Sequence, residues 1–384
     1  MPLKRKSGIL MLKKARLKKL SIIAFCLATI VTGAGCSGGT IVLPVSGSSD
    51  PLSYSQQATE GVKVLQLWYS QGPGLYAAPT GWWNAANAIT VLVNYERVTG
   101  GTTYYSVLSN TFTAAQKSNA NFVNKYYDDD GWWALAWIDA YDLTGDQKYL
   151  AMAETIFSAM TGGWDTATCG GGEWWSIDRK YKNAIANELF LTVAAKLANR
   201  TTGSTSATYL NWAHQEWTWF KASGMINSQS LVNDGLISTN PNACTNNGQK
   251  TWSYNQGVIL GGLVELYQAD KDPTLLPLAE AIASAAMTHL TTPNGVLTES
   301  VSGTDLPQFK GIFMRNLMAL YGAVPSTQGS QYKTFAETNA RSIWSSDQGP
   351  GVQFGGFWQG PFDSGDATRQ VSALDALIAA AAMQ

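Results

Sequence analysis

The run Tyr126-Tyr127-Asp128-Asp129-Asp130-Gly131-Trp132-Trp133 sets three consecutive carboxylates between two pairs of aromatic rings. Like charges this close repel, so their ionisation is coupled and one member tends to keep its proton. One ionised and one protonated carboxyl is the pair that cleaves a glycosidic bond. The flanking Tyr and Trp rings offer flat apolar faces with polar edges, which suit the C–H faces of a sugar. An Asp run also caps a helix, because the free N–H groups of the first turn attract negative charge.

Other chemistries find little support. The chain has two His residues, His214 and His289. Both fall in expected surface helices, which argues against Ser-His-Asp or Cys-His hydrolysis and against most zinc sites. No phosphate-binding G-x-x-x-x-G-K-[ST] loop occurs, and Gly170-Gly171-Gly172 lacks the strand context of a dinucleotide fingerprint. Neither a metal nor a cofactor is expected. A formal net charge of −1, with 14% charged residues, leaves no electrostatic footprint for nucleic acid. Low charge with 15 Trp and 16 Tyr instead suits a neutral polar ligand such as a polysaccharide.

The elements that must position these groups are helical. From residue 54 to 384 there is no linker and no change of composition, which reads as one domain. Apolar positions recur at i, i+3 and i+4 nearly throughout. Six Ala-, Gly- and aromatic-rich helices are expected at 82–98, 131–143, 183–199, 255–268, 311–322 and 367–381. Six amphipathic ones are expected near 54–71, 103–119, 146–160, 206–222, 274–290 and 329–344. Helix–stop–helix units recur, with Tyr95 to Thr99-Gly100 leading to Tyr104, and Tyr141 to Thr144-Gly145 leading to Tyr149. Six inner and six outer helices in alternation predict an all-α (α/α)6 barrel. The loops entering the inner helices then converge at one end. They carry Trp82-Trp83-Asn84, the Asp run, Gly172-Glu173-Trp174-Trp175, Trp252 to Gly257, Phe309-Lys310-Gly311 and Phe357-Trp358.

Residues 1–36 read as an export signal, with a basic stretch to Lys19, an apolar run from Leu20 to Val31, and small residues before Cys36. Cys36-Ser37-Gly38-Gly39 resembles the start of a mature lipoprotein. Gly33 departs from the usual Leu three residues before the Cys, so a lipidated envelope form and a soluble secreted form both stand. A lipid on Cys36 would be the sole membrane attachment. Residues 37–53 read as a flexible tether. In an oxidising compartment Cys169 and Cys244 are expected to pair as a disulfide.

Five stretches, YYDDDGWWALAWIDAYDLTGDQKYL (126–150), CGGGEWW (169–175), YKNAIANELF (181–190), TWSYNQGVILG (251–261) and FKGIFMRNL (309–317), resemble glycoside hydrolase family 76. That family comprises endo-α-1,6-mannanases and related cell-wall mannan enzymes. The resemblance implies retention of anomeric configuration, with Asp128 as nucleophile and Asp129 as general acid/base. Asp130 falls where the family varies and reads as a helix cap or supporting charge. Three Asp in a row also admit a pair one residue later, at Asp129 and Asp130. Asn183, Asn187, Tyr254, Asn255 and Gln256 are candidates for sugar hydroxyl contacts, although Asn and Gln at helix starts serve equally as caps. Trp132, Trp133 and Trp175 are stacking candidates, and Lys310 and Arg315 are weaker contacts. The expected partner is α-mannan and the expected state a monomer. A transglycosidase using the same pair, or a non-catalytic mannan-binding protein, are the alternatives.

Overall fold

The computed structural model describes residues 52–384. The expected signal segment, Cys36 and the tether as far as residue 51 lie outside the described residues. Helix α1 (Tyr54–Leu65) is followed by α2 (Trp82–Thr99), α3 (Tyr105–Ala114), α4 (Tyr127–Thr144), α5 (Gln147–Met160) and α6 (Ala184–Arg200). Then come α7 (Gly203–Ala222), α8 (Ser253–Asp270), α9 (Leu275–His289), α10 (Phe309–Ala323), α11 (Ser326–Ser346) and α12 (Ala367–Ala382). Contacts run α2–α4–α6–α8–α10–α12 and back to α2, which closes an inner ring. Outer helices lie on it: α5 on α4 and α6, α7 on α6, α9 on α8 and α10, α11 on α10 and α12, and α1 on α12 and α2. This is the (α/α)6 barrel that the helical alternation predicts.

The inner ring is Ala- and Gly-rich because its members approach one another closely. A Cβ on Gly257 of α8 would lie 2.6 Å from the Phe313 backbone of α10. One on Gly311 of α10 would lie 2.6 Å from the Ser372 backbone of α12. The Thr-Gly stops end α2 and α4 in the left-handed conformation, with φ of 71° at Gly100 and 72° at Gly145. Side chains of Asp146, Asn183 and Asp366 cap α5, α6 and α12.

Three boundaries differ most from the sequence reading. Helix α4 begins at Tyr127, not at residue 131, so the Asp run occupies its first turn rather than a loop. Helix α1 stops at Leu65, where a short turn leads into an antiparallel pair at Tyr69–Ser70 and Leu75–Tyr76. Helix α3 ends at Ala114 and hands over to two short 3-10 turns. A hairpin of Leu236–Asn240 and Ala243–Asn246 carries Cys244, which is bonded to Cys169, 75 residues away.

Candidate active site

Five of the six inner-helix N-termini border one cleft. Trp83 comes from α2, Asp128 and Trp132 from α4, Asn183 from the cap of α6, Tyr254 from α8 and Phe309 from α10. Connecting loops add Trp175, Tyr181, Asp234 and Asp305, and the cleft measures about 270 Å³. Helix N-termini carry partial positive charge, so acidic groups concentrate naturally at this end. A larger cavity of about 530 Å³ lies at the other end of the barrel. Its charges pair with one another, as in Lys196 Nζ to Asp139 Oδ1 at 2.5 Å and Arg200 Nη1 to Glu265 Oε2 at 3.0 Å. It has no aromatic wall.

The three consecutive Asp residues face different surroundings, because successive helical residues point about 100° apart. Asp128 opens into the cleft, and its Oδ1 has no partner among the described residues. Asp129 is anchored by Asn124, whose Nδ2 donates to Oδ2 at 2.7 Å. Asp130 is fully buried; its Oδ1 accepts the Asn124 backbone N–H at 2.8 Å and its Oδ2 has no partner. Burial pushes the Asp128 carboxyl up to about 8, with help from Asp129, against the pull of the Trp175 indole N–H and backbone N–H groups. Burial also pushes Asp129 up to about 6, where Asn124 opposes the rise and the Asp305 charge adds to it. Asp130 is raised to about 8, again by burial first. The Asp128–Asp129 pair therefore retains a proton near neutral pH, as coupled acids do.

The structure divides the residues singled out from sequence into two groups. Trp132, Trp175, Asn183 and Tyr254 line the cleft with Asp128. The Tyr254 ring lies flat on Phe309, centroids 3.8 Å apart, and Trp132 stacks on Trp83 at 5.6 Å. Trp175 leans on Tyr126 at 5.0 Å and is 37% exposed.

The others face inward. Trp133 is fully buried against Trp82, Phe122 and Trp137, since it points about 100° around α4 from Trp132. Asn187 bonds the backbone of Glu173 in both directions and so pins the Gly-rich loop to α6. Gln256 clamps both polar groups of the Val232 backbone. Asn255 is fully buried in α8. Lys310 donates to the Gly356 carbonyl at 2.5 Å with Trp358 beneath it, and burial lowers it to about 8. Arg315 is tied to Asp375 and Asn87 below the Trp132 ring. Five of these commit the amide, cation or ring to structure rather than to the cleft, while the buried Asn255 amide has no partner on either atom among the described residues.

Sequence reasoning missed Tyr181, Asp234 and Asp305. Asp234 accepts from the Tyr181 hydroxyl at 2.5 Å and from Trp252 Nε1 at 3.1 Å. Asp305 accepts from Trp83 Nε1 at 2.9 Å. For the two Asp residues the usable signal was their place: isolated acids, in a chain poor in charge, within loops that enter inner helices. The loop beside them is organised by Lys182, whose Nζ donates to the carbonyls of Asp165, Thr168 and Gly171 at 2.6, 2.7 and 2.6 Å. The Cys169–Cys244 bridge joins that loop to the hairpin.

An (α/α)6 barrel whose cleft sets one carboxyl, Asp128, among aromatic rings with a second, Asp129, next to it in the chain is an architecture suited to a glycoside hydrolase. The profile of glycosyl hydrolase family 76 matches residues 53–384. The mannan endo-1,6-alpha-mannosidase DFG5 of Candida albicans is 27% identical over 353 residues, covering 83% of this chain and 76% of its own. Its namesake in Saccharomyces cerevisiae is 30% identical over 304 residues, covering 71% and 65%. Among solved structures, the GH76A alpha-1,6-mannanase of Salegentibacter sp. HEL1_6 superposes with a TM-score of 0.80 at 23% identity, covering 86% of this chain and all of its own. Dfg5 of Chaetomium thermophilum follows at 0.76 and 22% identity, covering 86% and 90%. The chain belongs to glycosyl hydrolase family 76.

Proposed function

We propose that this protein is a retaining, endo-acting hydrolase of α-1,6-mannosidic linkages, exported to act on mannan-type polysaccharide. The observation that carries the reading is the division of the Asp run: Asp128 faces the cleft beside Asp129, while Asp130 is sealed in the interior. Supporting it, curated relatives are named mannan endo-1,6-alpha-mannosidases. An inactive variant of the Salegentibacter enzyme, with two consecutive Asp→Asn changes, was determined with alpha-1,6-mannotriose.

In the first step an Asp128 oxygen attacks the anomeric carbon and forms a glycosyl ester, while Asp129 gives its proton to the departing sugar oxygen. In the second step Asp129 takes a proton from water, whose oxygen attacks the same carbon and releases Asp128 as carboxylate. Burial raises both carboxyls of the coupled pair, so together they hold one proton near neutral pH, the proton that Asp129 delivers. A sugar hydroxyl donating to the Asp128 carboxylate stabilises charge there, and the Asp305 charge favours the proton on Asp129. Tyr254, Trp132 and Trp175 serve as ring contacts, and Asn183, Asp234 and Asp305 as hydroxyl partners.

Product analysis on linear α-1,6-mannan tests the reading, with and without an added sugar acceptor. Internal cleavage that releases reducing ends supports hydrolysis. Chain-lengthened products that replace them would move the assignment to transglycosylation. Asp128→Ala should be inert on every substrate. Asp129→Ala should lose mannan cleavage yet keep its first-step rate on an activated aryl mannoside, with azide restoring turnover. An Asp129→Ala variant that is equally slow on both substrates would remove Asp129 from the acid role.

A further inference from the structure

On the flank of the barrel, α5 and α7 both lie over α6 without closing on each other, leaving a groove of about 340 Å³. Such gaps are expected wherever outer helices are spaced by an inner ring. The one between α9 and α11, about 410 Å³, serves as a comparison; its single aromatic is Phe335, which is buried. The α5–α7 groove is built differently. Phe157 forms its floor, and half-buried Tyr209 and Trp212 stand along α7.

These rings are held in place from behind. Trp212 meets Trp164 and Phe190 edge-on, with centroids 5.9 and 5.6 Å away. Tyr209 meets Phe157 edge-on at 5.6 Å, and its hydroxyl reaches Glu154 Oε1 at 3.2 Å. Glu154 has no cationic partner among the described residues, which leaves carboxylate lone pairs at the groove wall. Ser204 puts a hydroxyl on the rim, Thr208 Oγ1 donates to the Ser204 carbonyl at 2.9 Å and keeps its lone pairs, and no Lys or Arg borders the groove. Fixed aromatic rings beside hydroxyls and one lone acceptor, without positive charge, are the surface that a neutral polyol ring recognises. An anionic or nucleic-acid ligand would meet only Glu154.

We propose that the α5–α7 groove is a second saccharide-binding site that holds a distant stretch of the same neutral mannan chain being cut in the cleft. The inference rests on the mannan reading above. The cleft's 270 Å³ accommodates only a few sugar units, so a polymer extends well beyond it. A second contact raises the effective concentration of the polymer at the cleft and does nothing for a short oligosaccharide.

The test compares rates on polymeric α-1,6-mannan and on α-1,6-mannotetraose for wild type, Thr208→Arg and Trp212→Ala. Retardation in mannan-containing gels is measured for the same groove variants on an Asp128→Asn/Asp129→Asn background. Thr208 is exposed on α7, so its Arg fills the groove without disturbing the core; Trp212→Ala removes a ring and could loosen the fold. The expected result is an unchanged tetraose rate, a polymer rate lower by about 3–10-fold and a matching loss of retardation, the size of one lost ring contact. If Thr208→Arg alters neither polymer rate nor retardation, the groove is not a binding site, whatever Trp212→Ala does. If wild type cleaves neither substrate, the cleft reading fails separately, and the retardation series still decides the groove.

Discussion

Asp130→Asn separates the buried carboxyl from the two proposed catalytic ones. Asn keeps an oxygen to accept the Asn124 backbone N–H but cannot ionise. Asp130 is raised to about 8 in the fold, against about 3.9 in an unfolded chain. A carboxyl raised on folding contributes stability that is fully present below about pH 4 and is lost as pH rises towards 8. Within that window the loss is about 1.4 kcal/mol per pH unit, so roughly 4 kcal/mol between about pH 5 and 8 as a ceiling. Water entry and local relaxation would reduce it to about 2–3 kcal/mol. Asn loses nothing over the same range. The other raised carboxyls titrate in both proteins and cancel except for their coupling to Asp130, which Asp128, Asp129 and Glu173 share. Urea unfolding of both proteins at about pH 5, 6.5 and 8 reads the effect directly. Asp130→Asn should gain on wild type steadily as pH rises, and its hydrolytic activity should persist. Parallel stability curves would mean that Asp130 is already ionised and that the burial argument is wrong. An inactive Asp130→Asn beside an active Asp128→Asn would move the catalytic pair one residue along.

Three further outcomes follow from local geometry. Replacing both Cys169 and Cys244 by Ala removes a link across 75 residues, worth about 4.5 kcal/mol in the chain-entropy limit, and a thermal melt should show a loss of about 2–4 kcal/mol. Gly172→Ala should destabilise by more than about 2 kcal/mol in the same assay, because its φ is +90° and a Cβ would lie 2.3 Å from the Trp219 ring. Asp305→Asn removes a charge that raises Asp129, so the alkaline limb of the kcat/KM pH profile should move to lower pH; an unmoved limb would separate Asp305 from the acid.

The helices were legible because their signals are local. Thr99-Gly100 and Thr144-Gly145 announce stops, and Ala- and Gly-rich composition announces the inner helices, without reference to any partner. The start of α4 was not legible in the same way. Its cap is Tyr126, which makes no side-chain capping bond. The strand-like pairing of Tyr126 with Ser176 helps to fix where the helix begins, and that contact spans 50 residues. An Asp run read alone looks like the approach to a helix; supported from behind by the Ser176 segment, it becomes the first turn.

The site was legible in part for a related reason. Spacing identifies which residues lie near the open end of the barrel, but the azimuth around each inner helix decides between cleft and core. Trp132 and Trp133 are neighbours with the same side chain, and one lines the cleft while the other packs on Trp137. The same turn of helix sends Asp128 to the cleft and Asp130 inside. Azimuth is usually read from the polarity of a helix, and here polarity misleads. Asn84, Asn87 and Asn94 on α2, with Glu188 on α6, are buried polar groups on helices that are enclosed on every side. Behind the cleft Glu173 and Glu216 are buried with no partner on either oxygen, and burial holds both carboxyls well above the usual range. In this barrel an acidic side chain therefore does not mark the exposed face. What marks the cleft is an acid within reach of an aromatic N–H or O–H from another loop, as Asp234 is with Trp252 and Tyr181, and Asp305 with Trp83. Those pairs bridge 18 to 222 residues, a distance over which periodicity carries no information.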